Sequence, residues 1–123
     1  LVTIELNRDD LRTIYLKSVE NLRTIYESGV VKFLEDSFPV CAIILFGSFR
    51  KGEDISNSDI DIAIESEDFK DYKVLGLRAL SDLEKAINRR IQIHEFNRKT
   101  IDEGLFNNIA NGIVLIGFLE VKK

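Results

Sequence analysis

Apolar residues recur at helical spacing through the first third of the chain. The pentapeptide Leu-Arg-Thr-Ile-Tyr occurs at residues 11–15 and again at residues 22–26, an offset of eleven residues. Because this offset is close to three helical turns, both copies fall on the same face of one long predicted helix. Asn7 is the candidate N-cap of this helix. Gly29 predicts a break, after which residues 31–36 predict a second helical stretch.

Four later segments carry strand patterns. Residues 41–46 form a continuous apolar run that ends at a glycine, which predicts a strand buried on both faces. Residues 59–65 alternate acidic and apolar side chains, and a period of two predicts a strand with one polar face. Residues 91–96 predict a third short strand, and residues 113–119 predict a last strand or sheet edge.

The segments between the strands predict further helices. Residues 69–88 have apolar positions at helical spacing and predict one helix, which an internal capping box beginning at Ser81 can split. Thr100 and Glu103 form a candidate capping box for a helix that reaches about residue 111. The order of elements predicts an α/β (α+β) fold with a mixed β-sheet flanked by helices and a long N-terminal helix.

Composition indicates one folded unit. Hydrophobic residues make up 45% and charged residues 31% of the 123 positions, a balance typical of a globular protein. With one proline and no low-complexity segment, the chain has no obvious internal linker. We expect a helical segment at residues 1–38 followed by a compact domain at residues 39–123. The chain starts at Leu1 and contains no methionine, so we expect a longer parent chain.

Several classes of protein are disfavoured. No apolar stretch is long enough to span a membrane and no signal peptide is evident, so we expect a cytoplasmic protein. A lone cysteine, Cys41, cannot form an internal disulfide, and its apolar neighbours predict a small buried core residue. The net charge of −4 provides no global attraction to nucleic acid, so any such contact would be local.

Two short motifs in the middle of the chain carry the candidate chemistry. Gly47 and Ser48 follow the first buried strand, where a sharp turn can present backbone N–H groups and a hydroxyl to phosphate oxygens. Asp59 and Asp61 lie two apart on a predicted strand, so both carboxylates point to one face and can share a cation. Phosphoryl transfer needs both a phosphate cradle and metal ions that neutralise charge.

Other interpretations of the same residues fit less well. Gly-Ser alone is usually a simple turn, and Asp-x-Asp alone is usually a solvated strand face. The two together, separated by ten residues and flanked by strands, favour a functional site. A P-loop is excluded because Glu53 and Asp54 stand where lysine and a hydroxyl residue should follow. An EF-hand over residues 54–65 is excluded because its sixth position is Asp59 instead of glycine.

The segment resembles the nucleotidyltransferase superfamily related to DNA polymerase beta, and within it the minimal nucleotidyltransferases of prokaryotes. Their signature of Gly-Ser, about ten residues and Asp-x-Asp is matched by Gly47, Ser48, Asp59 and Asp61. The resemblance implies a nucleotidyltransferase fold for residues 39–123. It implies that Gly47, Ser48 and Lys51 bind the triphosphate, and that Asp59 and Asp61 are catalytic and bind Mg²⁺ or Mn²⁺.

One position departs from the family pattern. The family supplies a third carboxylate from a later strand, after a basic pair and between two aliphatic residues. The run Arg-Arg-Ile-Gln-Ile at residues 89–93 matches that setting, with Gln92 in place of the acid. Glu95 is near, but strand alternation turns it away from the face that Gln92 and His94 share. His94 can accept a proton, although a lone histidine on a strand is more often structural.

The resemblance implies an enzyme that binds ATP with Mg²⁺ or Mn²⁺ and transfers AMP to a hydroxyl of a protein or RNA acceptor. For minimal nucleotidyltransferases it also implies an antitoxin role, with a tyrosine or serine of a HEPN toxin as acceptor. A different class stays open: a catalytically weak or inactive binding or regulatory module, which Gln92 favours. Contact with nucleic acid and self-association also stay open.

Overall fold

The computed structural model describes residues 8–52 and 58–120, with the side chains of residues 8 and 9 excluded, so the candidate N-cap Asn7 lies outside the described residues. The described residues form, in chain order, α1 (Arg8–Ser28), α2 (Val30–Ser37), β1 (Ala42–Phe46), α3 (Gly47–Lys51), β2 (Ile60–Glu65), β3 (Lys73–Leu75), a 3-10 turn (Arg78–Leu80), α4 (Ser81–Ile87), β4 (Ile91–Phe96), α5 (Glu103–Ala110) and β5 (Ile113–Gly117).

Within the described residues, the strands form one sheet in the order β3-β4-β2-β1-β5. β2 and β4 are parallel, and the other neighbouring pairs are antiparallel. The parallel pair requires a crossover, which β3, the 3-10 turn and α4 supply. The predicted α+β fold with a mixed sheet and a long N-terminal helix is therefore confirmed.

One face of the sheet carries the larger core. Ile43, Ile62 and Ile93 project from three neighbouring strands and are fully buried. Helices α1 and α2 cover them with Ile25 and Leu34, which are buried to the same degree. Burial of apolar side chains from sheet and helices is the main stabilising contribution to such a layer.

The opposite face is covered by α5 at one end. Phe106 and Ile109 pack there against Ala42 and Ala63. The other end of this face, where Phe46 pairs with Asp61, carries the polar side chains of the predicted site. The alternation of the strands therefore separates an apolar half of this face from a polar half.

Helix α1 is fastened to the short helix α3. Ser18 Oγ donates to the Arg50 carbonyl over 2.7 Å, and Asn21 Nδ2 donates to the Phe49 carbonyl over 2.9 Å. A side chain at Gly52 would collide with the backbone of α1. The two hydrogen bonds therefore hold α3, which begins at Gly47, against α1. As predicted, the helical region breaks at Gly29, which adopts the left-handed conformation with φ of 82°.

The prediction of one helix over residues 69–88 is wrong. Lys73–Leu75 form β3, and helical structure starts only at Arg78. β3 pairs with β4, whose edge would otherwise leave backbone groups unpaired, and this tertiary pairing overrides the helical spacing. The internal capping box is absent too, because the N-cap of α4 is Leu80 and Ser81 lies inside the helix; Glu84 Oε2 accepts instead from the Ile91 N–H over 2.8 Å.

Two local predictions also need correction. The N-cap of α5 is Asp102, whose side chain accepts from the Leu105 N–H, while Thr100 Oγ1 donates to the Lys70 carbonyl. Cys41 is exposed instead of buried, and the buried strand begins one residue later, at Ala42. Among the described residues, no helix has the length and apolar character needed to cross a membrane.

Candidate active site

The glycine turn and one motif carboxylate lie in direct contact. Phe46, the last residue of β1, pairs with Asp61 on β2, and Gly47 follows with φ of 82°. A Cβ atom built on Gly47 would lie 2.6 Å from Asp61 Oδ2. Only glycine fits this close approach and this left-handed backbone without strain. The structure thus brings the two halves of the sequence motif together at Gly47 and Asp61.

Asp59 is held from the neighbouring strand by the residue at the expected third-carboxylate position. Gln92 Nε2 donates to Asp59 Oδ2 over 3.1 Å. The contact exists because β2 and β4 are parallel and in register, with Asp61 opposite Gln92. An acid at position 92 would repel Asp59 here, whereas the amide stabilises the carboxylate by hydrogen bonding.

Asp61 is held from the same strand by a two-residue chain of hydrogen bonds. His94 Nε2 lies 2.9 Å from Asp61 Oδ1, and His94 Nδ1 bonds to the Tyr72 hydroxyl. Because a carboxylate only accepts, Nε2 carries the hydrogen. In the neutral ring, Nδ1 then accepts from Tyr72. These hydrogen bonds fix the orientation of the Asp61 carboxylate and leave its Oδ2 towards Gly47.

The surroundings of these hydrogen bonds are largely closed to water. His94 is buried, and the Phe46 ring packs against it with its edge, at a centroid distance of 4.7 Å. Burial, assisted by the charge of Asp61, raises the pKa of Tyr72 above its usual value of 10.0. The Tyr72 hydroxyl therefore keeps its proton, and its ability to donate, throughout the physiological pH range.

The remaining nucleotide-binding candidates lie on α3. Ser48 follows Gly47 and is partly buried, and Lys51 is exposed in the last turn. Arg50 is partly buried, and its Nε has no hydrogen-bond partner. These positions put a hydroxyl and two cations on the element that begins at the glycine turn.

The donor set suits a hard divalent cation that is only partly held by protein. Asp59 and Asp61 each use one carboxylate oxygen to accept from β4, so each has a second oxygen for a cation, and that of Asp61 lies towards Gly47. Of the described residues, no group of three or more His, Cys, Asp or Glu side chains is placed to hold a metal ion. The pair therefore fits Mg²⁺ or Mn²⁺ whose remaining ligands are water or phosphate oxygens.

The alternation predicted for β4 is observed. Gln92 and His94 both reach the motif carboxylates, while Glu95, opposite Ile64, lies on the other face. Sequence reasoning missed Tyr72, because its role depends on β3, which was predicted as helix. No local pattern distinguishes this tyrosine from a core residue of an amphipathic helix.

A cavity of about 580 Å³ opens beside Asp59, between α4 and the start of β4. Its lining includes Lys85, Arg89 and Arg90. In the sequence, the basic pair at residues 89 and 90 indicated only the setting of Gln92, and this cavity was not predicted. The signal was present in the clustering of basic residues just before the strand.

Comparison with known proteins identifies relatives of this chain. The family model described as "Polymerase beta, Nucleotidyltransferase" matches residues 29–118, a range that includes both motifs and Gln92. The chain is also similar to a protein of Methanocaldococcus jannaschii that is named as a candidate protein adenylyltransferase. The two are 33% identical over 87 residues, which cover 60% of this chain and 82% of the relative.

Proposed function

The chain belongs to the polymerase beta nucleotidyltransferase family, and from this premise we propose that it transfers AMP from ATP to a hydroxyl of a protein or RNA acceptor. Transfer of a nucleoside monophosphate is the activity of the family. The observation that carries the proposal for this chain is the contact of the Gly47 turn with Asp61 Oδ2. A turn that binds phosphate and an acidic pair that binds a cation belong to one site when a triphosphate and its cation lie between them.

Each motif residue has a role in this proposal. The backbone at Gly47, the Ser48 hydroxyl and the Lys51 ammonium group bind the β- and γ-phosphates of ATP. Asp59 and Asp61 bind Mg²⁺ or Mn²⁺ and face the reacting phosphate. A cation bound there supplies positive charge that neutralises the triphosphate oxygens during transfer. Gln92 and His94 hold the two carboxylates in place from β4.

The proposed reaction is a group transfer in which no atom changes its oxidation state. The acceptor hydroxyl oxygen forms a bond to the α-phosphorus of ATP, and the bond from that phosphorus to the bridging oxygen of the β-phosphate breaks. Pyrophosphate leaves, the hydroxyl proton passes to bulk water, and the acceptor carries AMP as an ester. The protein contributes by positioning and by electrostatic stabilisation, which dominate phosphoryl-transfer catalysis.

The acceptor we propose first is a tyrosine or serine of a HEPN-type partner, as the family resemblance implies. Helix α1 supports a partner role, because Tyr15, Leu16 and Val19 are exposed by 61%, 60% and 63%. Exposed apolar side chains at these spacings are typical of a docking surface. Light scattering with and without a HEPN protein distinguishes docking of that partner from self-association of the chain.

The transfer is tested with ATP labelled on the α-phosphate in the presence of Mg²⁺, with protein and RNA fractions separated afterwards. We expect label in one fraction, release of pyrophosphate, and loss of both in Asp59→Asn and Asp61→Asn. Label from γ-labelled ATP should not appear. Labelling that is unchanged in both variants would remove the catalytic role of the two aspartates.

A second function is favoured by the Gln92 contact. Because an amide stands where the family has a carboxylate, the chain lacks that group for activating the acceptor hydroxyl, and a regulatory module that binds ATP without turnover is the alternative. Calorimetry combined with pyrophosphate detection separates the two. Binding of ATP with Mg²⁺ and no pyrophosphate in the presence of the acceptor favours the sensor, and turnover favours the enzyme.

A further inference from the structure

A positively charged depression leads away from Asp59 along α4. Two adjoining cavities of about 580 and 400 Å³ share Ser81, Glu84 and Arg90 in their walls. Only the first reaches Asp59. We name the combined depression the basic trough; its described lining consists of Asp59, Gly76, Leu77, Arg78, Ser81, Glu84, Lys85, Asn88, Arg89 and Arg90.

The trough concentrates positive charge in a protein whose net charge is −4. Its described lining includes four basic residues, namely Arg78, Lys85, Arg89 and Arg90, and two acidic residues. Both acids also accept hydrogen bonds within the protein, Glu84 from the Ile91 N–H and Asp59 from Gln92. Basic side chains still outnumber acidic ones in the described lining, and this excess of positive charge favours an anionic ligand.

The basic trough and the glycine turn at Gly47 lie next to the acidic pair on different elements of the fold. Gly47, Ser48 and Lys51 lie on α3, and none of them lines the trough. The turn contacts Asp61, whereas the trough ends at Asp59. A transferase needs two such approaches, one for the donor nucleotide and one for the acceptor, because both substrates are bound during transfer.

The walls of the trough distinguish between two kinds of polyanion. Of the described residues that line it, none is aromatic, so the aromatic side chains on which bases of a single-stranded nucleic acid typically stack are absent from this lining. Arginine and lysine side chains bind carboxylates well without aromatic neighbours. The similar protein of Methanocaldococcus jannaschii carries a name that describes protein as its acceptor.

We propose that the basic trough binds an acidic peptide segment and delivers its hydroxyl side chain to Asp59, so that the acceptor is a serine, threonine or tyrosine flanked by aspartate or glutamate. This inference rests on the proposed AMP transfer and specifies its acceptor. The peptide hydroxyl oxygen bonds to the α-phosphorus, pyrophosphate leaves, and the hydroxyl proton passes to water. Lys85 and Arg90 hold the flanking carboxylates.

The test uses the full chain and three fluorescent ligands of equal length. Two are peptides with one central tyrosine, flanked in one by glutamate and in the other by glutamine; the third is an oligoribonucleotide with the same net charge as the acidic peptide. The double variant Lys85→Glu/Arg90→Glu reverses two exposed trough charges, and Lys99→Glu makes the same kind of change at an exposed position outside the trough. Binding is followed by anisotropy, and AMP transfer by α-labelled ATP with Mg²⁺.

We expect the wild type to bind the glutamate peptide more tightly than the glutamine peptide, with a difference that shrinks at high salt. The double variant should lose about tenfold or more in affinity for the glutamate peptide, while Lys99→Glu stays near wild type. The affinity of the double variant for ATP should be unchanged. Equal binding of both peptides, unchanged peptide binding by the double variant, or tighter binding of the oligoribonucleotide would overturn the proposal.

The two proposals fail in different ways. If ATP binds and AMP is transferred to both peptides equally well, the acidic acceptor is wrong and the transferase stands. If the acidic peptide binds through Lys85 and Arg90 but ATP does not bind, the trough is a peptide site and the transferase proposal is wrong. Anisotropy without nucleotide reports on the trough alone, so the two outcomes are distinguishable.

Discussion

His94 donates from Nε2 to Oδ1 of Asp61 over 2.9 Å, so the second motif carboxylate is oriented by the strand from which the family supplies a third acid. The same strand donates to Asp59 through Gln92. β4 therefore provides two hydrogen-bond donors to the acidic pair in place of one more negative charge. These two hydrogen bonds orient both acids, and such orientation by neighbouring side chains is the preorganisation that a metal and phosphate site requires.

Tyr72→Phe should weaken metal binding without unfolding the protein. The variant removes the hydroxyl that donates to His94 Nδ1, and the ring that donates to Asp61 then loses one of its two hydrogen-bond partners. We expect the affinity for Mn²⁺ in the presence of ATP to fall by up to about tenfold, the low end of the loss for a direct partner of a metal ligand, because Tyr72 acts on Asp61 through His94. Titration followed by Mn²⁺ paramagnetic resonance measures the change. Tyr15→Phe, at an exposed position on α1, is the matched control, and an equal effect of both variants would contradict the role of Tyr72.

Gln92→Glu should make stability depend on divalent metal. A carboxylate at position 92 replaces the donor to Asp59 Oδ2 with a third negative charge. We expect the melting temperature in EDTA to fall below that of the wild type, and Mg²⁺ or Mn²⁺ to raise it by more than in the wild type. Thermal denaturation with and without metal measures both changes.

A second substitution checks the cause of that loss. Adding Asp59→Asn to Gln92→Glu removes the repulsion, so the melting temperature in EDTA should recover while the response to metal disappears. If the double variant stays as unstable as Gln92→Glu, repulsion between positions 59 and 92 is not the reason for the loss.

Gly47→Ala should destabilise the fold and abolish ATP binding. The substitution combines a left-handed backbone with a Cβ placed 2.6 Å from Asp61 Oδ2. We expect about 1–3 kcal/mol from the backbone strain alone, with a further loss from displacement of the carboxylate. Gly29→Ala has the same φ of 82° and no atom within 4 Å of its Cβ, so it measures the strain without the contact. Urea denaturation and calorimetry should show ATP binding retained in Gly29→Ala and lost in Gly47→Ala.

Ser18→Ala should loosen the attachment of α1 to α3. The hydroxyl of Ser18 donates to the Arg50 carbonyl over 2.7 Å, a partner 32 residues away, and its loss should cost about 1 kcal/mol. Thr24→Ala is the control, since Thr24 Oγ1 donates to the Glu20 carbonyl within α1 at an exposed position. We expect a smaller destabilisation in the control and weaker ATP binding only in Ser18→Ala. Equal binding in both variants would show that α1 does not support the turn.

Glu65→Gln should stabilise the protein at neutral pH and not in acid. Burial raises the pKa of Glu65 above its usual value of 4.5, helped by Glu67 and Glu120 and opposed by Arg98. The folded state thus favours the protonated form, and this stability is present below pH 4.5 and lost as pH rises through the raised pKa. Glutamine stays neutral at every pH. Urea denaturation should therefore show a gain for the variant at about pH 7 that disappears at about pH 4; an equal gain at both would contradict the linkage.

Local rules were sufficient for a large part of this protein. The break at Gly29 and the buried strand before Gly47 follow from short patterns that depend on neighbouring residues alone. Period two in β2 and β4 correctly placed Gln92 and His94 on one face and Glu95 on the other. The fixed spacing of Gly47, Ser48, Asp59 and Asp61 was enough to indicate the family, which the match over residues 29–118 confirms. These features are set by backbone geometry over a few residues, which the sequence encodes directly.

Contacts between distant segments were decided by the tertiary structure. The pairing of β2 with β4 brings Gln92 to Asp59 across 33 positions of chain, and β3 places Tyr72 against His94. Residues 73–75 form a strand because they pair with the edge of β4, although the spacing of apolar residues in this segment favours a helix. Cys41 is exposed although its neighbours in sequence are apolar and Ala42 after it is fully buried. The free energy that selects these arrangements comes from burial and pairing between segments, which no local pattern contains.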